Sequence, residues 1–204
     1  MPDTTELEQF SEEFFQDIIN EAENGGWKED IFFDKFTDYL TDAGEFNEAI
    51  RASYQPANGL LRVDGYCGDP LESRSTGDPE EPLTLGLIVL DFHQGGDLET
   101  LNTRDMNTTF NRLMRYLNSA LNPQWRRSLE ASDPGFGLAD LIATRWNRIT
   151  KIRLYLLTNK VLSSRVDGKT AGDYEGRSVV YSVWDIKRLL ALTKAATGQE
   201  PLCV

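Results

Sequence analysis

With 204 residues, 40 % of them hydrophobic, the chain is long enough to bury a full core, and one compact domain spanning residues 1–204 is expected. No run of about 18 apolar residues occurs, and the opening MPDTTELEQF is acidic where a leader would be basic and then apolar; this argues against membrane insertion and secretion and for a cytoplasmic protein. The net charge of −12 speaks against a nucleic-acid partner, but residues 1–50 hold 15 acids and 2 bases while residues 51–204 hold 18 acids and 19 bases, so the acidity is confined to the first quarter.

Residues 4–24 place Leu7, Phe10, Phe14, Phe15, Ile18 and Ile19 at helical spacing, and Asn24-Gly25-Gly26 ends the run. A second amphipathic helix is predicted from Glu29 to Ala43, with Gly44 as its C-terminal cap. Residues 1–45 therefore form an acidic helical pair, a large charged surface for a partner. The pattern then changes to period two. Ala49–Tyr54 and Leu60–Cys67 read as strands, residues 68–82 as a loop, and Leu83–Leu90 as an apolar strand covered on both faces at the centre of a sheet.

Thr103 is placed to cap a helix running from Arg104 to Leu121. Pro123 and Pro134 bracket a short helical connection, and a further helix follows from Gly137 to Arg148. Ile152–Thr158 reads as a strand that returns after helices and so lies parallel to an earlier one. Residues 163–177 read as a loop, Ser178–Val183 as the last strand, and Asp185 opens a closing helix through Leu192. The order ααβββααββα places the chain in the α/β class, with a mixed central sheet flanked by helices and a core over residues 46–197.

Two stretches carry chemistry. Alternation puts Arg62, Asp64 and Tyr66 on one face of their strand and Leu61, Val63 and Cys67 on the other, and Asp91 and His93 share a face where the apolar strand ends. If those strands pair, Asp64, Asp91 and His93 meet near one end of the sheet. Two carboxylates brought close repel, and a divalent ion on oxygen ligands resolves the repulsion; Asp64 and Asp91 are thus candidate ligands for Mg2+ or Mn2+. His93 is the candidate base. Pairing of Asp64 with Arg62, and turn capping by Asp91, are the structural alternatives. Within residues 104–153, nine Lys and Arg residues outnumber four acids, and Arg112, Arg115, Arg126 and Arg127 are candidates for phosphate contact. Cys67 and Cys203 are expected as free thiols.

Asp64 followed by Asp91-Phe92-His93 resembles the PD-(D/E)xK nuclease pattern, an aspartate and then an acidic residue, a spacer and a lysine. His93 stands where that family has its lysine, which helps position the attacking water. The resemblance implies a restriction-endonuclease-like fold and an early-helix glutamate, for which Glu12, Glu13, Glu45 and Glu48 are candidates. Over most of the chain, the acidic helical start, Arg62-Val63-Asp64-Gly65-Tyr66, Leu83-Thr84-Leu85 to Asp91-Phe92, Leu98-Glu99-Thr100-Leu101, Arg153 to Thr158 and Val183 to Leu189 resemble, in that order, the N-terminal region of abortive-infection phage-resistance (AIPR) proteins. That resemblance implies an antiviral role and a C-terminal remainder, toward which residues 198–204 would begin a linker. Three functions stay open: a metal-dependent nuclease domain, a nuclease-like module without catalysis that binds nucleic acid or protein, and a structural or homo-oligomerising module.

Overall fold

Two amphipathic helices open the chain. The computed structural model describes residues 4–68, 82–163 and 169–197. Helix α1 (Thr4–Glu23) and helix α2 (Lys28–Asp42) are joined by a turn in which Gly25 and Gly26 take φ values of 108° and 146°, conformations that cost a glycine little. Their apolar stripes meet through Phe14, whose ring lies edge-on to Phe32 and to Phe36. Gly44, at φ 75°, closes α2: the N–H groups of Ala43, Gly44 and Glu45 turn back to the carbonyls of Tyr39, Thr41 and Leu40.

The sheet has six strands, in the spatial order 49–54, 63–67, 83–91, 149–158, 177–184 and 169–174. Strands β1 (Ala49–Tyr54), β2 (Val63–Cys67) and β3 (Leu83–Asp91) form an antiparallel meander. The chain then leaves the sheet through the two-residue strand β4 (Thr100–Leu101) and helices α3 (Thr103–Leu121), α4 (Pro123–Ser128) and α5 (Pro134–Arg145). It returns as β5 (Ile149–Thr158), parallel to β3 as a crossover through helices requires. Strand β6 (Val161–Leu162) pairs with β4, β7 (Lys169–Tyr174) is the antiparallel edge, and β8 (Arg177–Trp184) lies parallel to β5 and leads into α6 (Ile186–Thr197).

Both faces of the central strands are covered. Leu85, Leu87, Val89, Leu154 and Leu156 pack with Phe110, Leu113 and Leu117 of α3. On the other face Ile88, Leu90, Tyr155 and Leu157 pack with Phe32, Phe36, Ile186 and Leu189 of α2 and α6. Each such side chain contributes about 1.5–3 kcal/mol on burial, which is why β3 reads as a continuous apolar run. The close seat of α2 on β2 needs Gly65: a Cβ there would lie 2.5 Å from the Phe33 ring and 2.7 Å from the Ile50 carbonyl.

The α/β class and the mixed sheet agree with the sequence reading, and several details differ: that reading has neither β4 nor β6, and it starts the second strand at Leu60 where β2 begins at Val63. Residues 169–174, expected in a loop, form an edge strand; Lys169-Thr170-Ala171-Gly172-Asp173-Tyr174 lacks apolar alternation, and the register shifts between Thr170 and Gly172. Helix α3 is capped by Asn102, whose side chain accepts the Asp105 N–H at 2.9 Å, and its first residue is Thr103. Helix α5 begins at Pro134, whose fixed φ suits a first helical turn. Strict alternation in β2 fails: Val63 and Tyr66 pack into the same core, beside a register shift between Arg51 and Tyr54 in β1. Most of the loop expected over 68–82, the segment 198–204 and Cys203 lie outside the described residues. Among the described residues no helix is long and apolar enough to cross a membrane.

Candidate active site at the ends of β3 and β5

Strands β3 and β5 run in register to a common end, where Asp91 stands beside Thr158. The next residues of β5 organise the exit of β3. Thr158 Oγ1 donates to the Asp91 carbonyl at 2.7 Å and accepts the Lys160 N–H at 3.1 Å. Asn159, buried, holds His93 at two points: its Oδ1 accepts the His93 N–H and its Nδ2 donates to the His93 carbonyl, both at 2.8 Å. The short β4–β6 ladder begins next to Glu99, whose carbonyl accepts the Val161 N–H at 2.8 Å.

The result is one cluster of charged side chains. Lys160 Nζ donates to Asp91 Oδ1 at 3.3 Å and lies 3.4 Å from Glu99 Oε2. His93 Nδ1 lies 3.4 Å from the same Glu99 oxygen, and His93 Nε2 lies 2.9 Å from Asp97 Oδ1. Burial works to lower the Lys160 pKa, but the Asp91 and Glu99 carboxylates outweigh it and hold the ammonium above its ordinary value. The hydrogen bond from His93 keeps the Asp97 carboxyl below the usual range. A Cβ at Gly95 would displace the His93 ring and the Asp97 carboxylate from each other. One donor atom each from His93, Asp97 and Glu99 lies within 4.8 Å of the others, which makes the three candidate ligands for a divalent cation, with Asp97 and Glu99 set against different nitrogens of the His93 ring.

Asp64 sits at the same end of the sheet in a different setting. Its carboxylate is buried and accepts from Arg62 Nε at 2.7 Å, Arg62 Nη2 at 3.1 Å and Arg51 Nη1 at 3.3 Å. It also accepts the Leu90 N–H at 2.9 Å, one residue before Asp91, where the β2–β3 ladder has ended. Arg51 continues to Asp30 at 2.8 Å and Arg62 to Glu29 at 3.5 Å, so the first turn of α2 is pinned to the sheet through charge. Burial of the Arg62 guanidinium is opposed by Asp64, Glu29 and Asp91, which together hold its pKa above the ordinary value.

A family model described as the abortive infection phage resistance protein N-terminal domain matches residues 32–191. The chain belongs to that family. No curated protein and no solved structure matches it. The matched span of this AIPR N-terminal domain runs from α2 into α6 and includes Asp64, Asp91, His93 and Lys160; α1 and Trp27 precede it.

In this AIPR domain the four candidate arginines lie on α3 and α4, away from the cluster's hydrogen bonds. Arg115 Nη1 donates to the Leu60 carbonyl at 3.3 Å and Arg126 Nη1 to the Ala120 carbonyl at 2.6 Å; Arg112 is half-buried and Arg127 exposed. Of the candidate glutamates, Glu12, Glu13 and Glu48 are exposed. Glu45 pairs with Arg153 and accepts from Tyr155 in a cleft of about 260 Å3 on the earlier half of β5. Cys67 lines the same cleft, and burial pushes its thiol up to about 12, leaving it unreactive. Sequence reasoning did not single out Asp97, Glu99, Asn159 or Lys160. A polar Thr-Asn-Lys triplet directly after an apolar parallel strand was the available signal, since sites in α/β sheets gather at the carboxyl ends of strands.

Proposed function

We propose that this domain is the N-terminal part of a cytoplasmic phage-defence protein, and that the ends of β3 and β5 form a divalent-metal-dependent nuclease centre. The observation that carries the reading is the position of Lys160. The PD-(D/E)xK resemblance puts His93 in the place of a lysine; Lys160 supplies an ammonium from the bend that follows the neighbouring parallel strand, 3.3 Å from Asp91 and 3.4 Å from Glu99. In this reading His93, Asp97 and Glu99 would hold Mg2+ or Mn2+, which when bound supplies an activated water and charge stabilisation on phosphate. Asp91 orients the Lys160 ammonium toward a phosphate oxygen, and Asn159 fixes the His93 backbone. Asp64 acts as the anchor of Arg51 and Arg62, because its oxygens already accept from two guanidinium groups and a backbone N–H.

The test is cleavage of single-stranded DNA, duplex DNA and RNA with Mg2+ or Mn2+ present. Asp91→Asn and Lys160→Met should each lower the rate by about 100-fold or more while the melting curve keeps its native form. Cleavage that is equal in both variants and the parent would place the activity elsewhere.

The commitment of Asp64 to arginine favours a second reading, a nuclease-like module without catalysis that binds nucleic acid or the C-terminal remainder of a longer protein. Arg112, Arg115, Arg126 and Arg127 then meet phosphate. Affinity for DNA or RNA should fall with rising salt and in Arg126→Ala with Arg127→Ala; binding indifferent to both removes this reading.

A further inference from the structure

At the α1–α2 turn the indole of Trp27 is 80 % exposed, the most exposed large hydrophobic side chain among the described residues. It forms part of an open cleft of about 660 Å3 whose walls include Ile19, Ala22, Glu23, Lys28, Glu29 and Asp30. Ile19, Ala22 and Trp27 supply its apolar part, set among the polar side chains of Glu23, Lys28, Glu29 and Asp30. Two glycines at positive φ make the turn, so a short segment presents the ring.

The charge beside this cleft selects its occupant. Asp30, Asp34, Asp38 and Asp42 recur every four residues along α2, and each like-charged pair at that spacing costs about 0.2–0.5 kcal/mol. Burial and then the charges of Asp38 and Asp30 raise the Asp34 pKa against the opposing charge of Arg51, with Glu21 of α1 adding to them. Glu21, Glu29 and Asp30 have basic partners in Lys35, Arg62 and Arg51. Among the described residues Glu23, Asp34, Asp38 and Asp42 form no ion pair. Lys28 in the cleft wall offsets one of these four charges, which leaves the face negative and disfavours a phosphate-bearing ligand. A guanidinium is suited to both features, since it stacks on an indole face while its charge meets carboxylates, and tryptophan and arginine dominate the energetics of protein interfaces.

We propose that the Trp27 cleft, with the acidic face of α2 beside it, docks an arginine-rich segment of a protein partner. This does not rest on the nuclease reading: the residues differ, and Trp27 lies before the span that defines the family.

The test uses the intact chain, a fluorescein-labelled arginine-rich peptide and its all-lysine counterpart, read by fluorescence anisotropy. The arginine peptide should bind more tightly than the lysine one, and Trp27→Ala should weaken it about tenfold and erase the preference, with Trp27→Phe in between. Glu23→Gln with Asp34→Asn should weaken binding more than Glu8→Gln with Glu12→Gln, which removes the same charge roughly 20 Å away along α1. Equal weakening by the two pairs, or binding unchanged in Trp27→Ala, would overturn the proposal as mere attraction between opposite net charges. Single-stranded DNA competing through Trp27, or self-association that Trp27→Ala abolishes, would overturn it in favour of a nucleic acid or a second copy of the chain.

Discussion

At the shared end of β2, β3 and β5 opposite charges alternate in space, whereas along α2 like charges follow one another. Asp64 lies between Arg51 and Arg62, Arg62 also reaches Glu29, and Lys160 lies between Asp91 and Glu99. On the outer side of α2, Asp34, Asp38 and Asp42 stand in a row. The difference follows burial. Groups removed from water must be compensated, because an isolated buried charge is very costly; groups left in water tolerate repulsion of a few tenths of a kcal/mol. The sheet end is thus a site whose own side chains define its geometry, and the α2 face is one whose charge favours an outside partner.

The comparison breaks most readily at Asp64. Asp64→Leu takes the acceptor from the Leu90 N–H and leaves Arg62 and Arg51 only their outer partners Glu29 and Asp30, and should cost about 3 kcal/mol, read from the midpoint of urea unfolding. A loss below about 1 kcal/mol would mean that the pair behaves as an exposed one and that the contrast with α2 is false. Asn159→Ala should come next, at about 1–3 kcal/mol, since it leaves the N–H and carbonyl of His93 without their partners; it should also lower any cleavage without altering the charge of the site. Asp34→Asn should act in the opposite direction, stabilising the fold by about 0.5 kcal/mol near neutral pH. Asp34 has a folded pKa raised above its unfolded value, so its ionisation destabilises the fold at higher pH and the penalty disappears as pH falls below the ordinary carboxylate range. The advantage of Asp34→Asn in thermal melting should therefore vanish in acid; persistence there would show that charge crowding is not its cause. Smallest of all, Trp27→Ala should move stability by no more than about 0.5 kcal/mol.

Periodicity made the frame legible. The helical stripes of α1 and α2 and the apolar run of β3 follow from burial on one face or two, and the structure places them within a residue or two of the sequence reading. Edge strand β7 was not legible, because one side of it has no neighbouring strand and its residues show no alternation. At the site, Asp64, Asp91 and His93 were visible as polar residues in or after apolar strands. Lys160 and Glu99 were not, since their meeting depends on the parallel pairing of β3 with β5 and of β4 with β6, a relation between distant segments that no local pattern records. The partnership of Arg62 with Asp64 could be weighed from their spacing, but that of Arg51 required the register of β1 against β2.

The proposed nuclease centre requires a divalent cation among His93, Asp97 and Glu99, beside Asp91 and Lys160. Calorimetric titration of Mn2+ into the parent chain should show one site, weakened at least tenfold in Glu99→Gln and in His93→Ala and retained in Glu23→Gln on the acidic face. Equal Mn2+ binding by all four proteins, or binding lost only in Glu23→Gln, would contradict it.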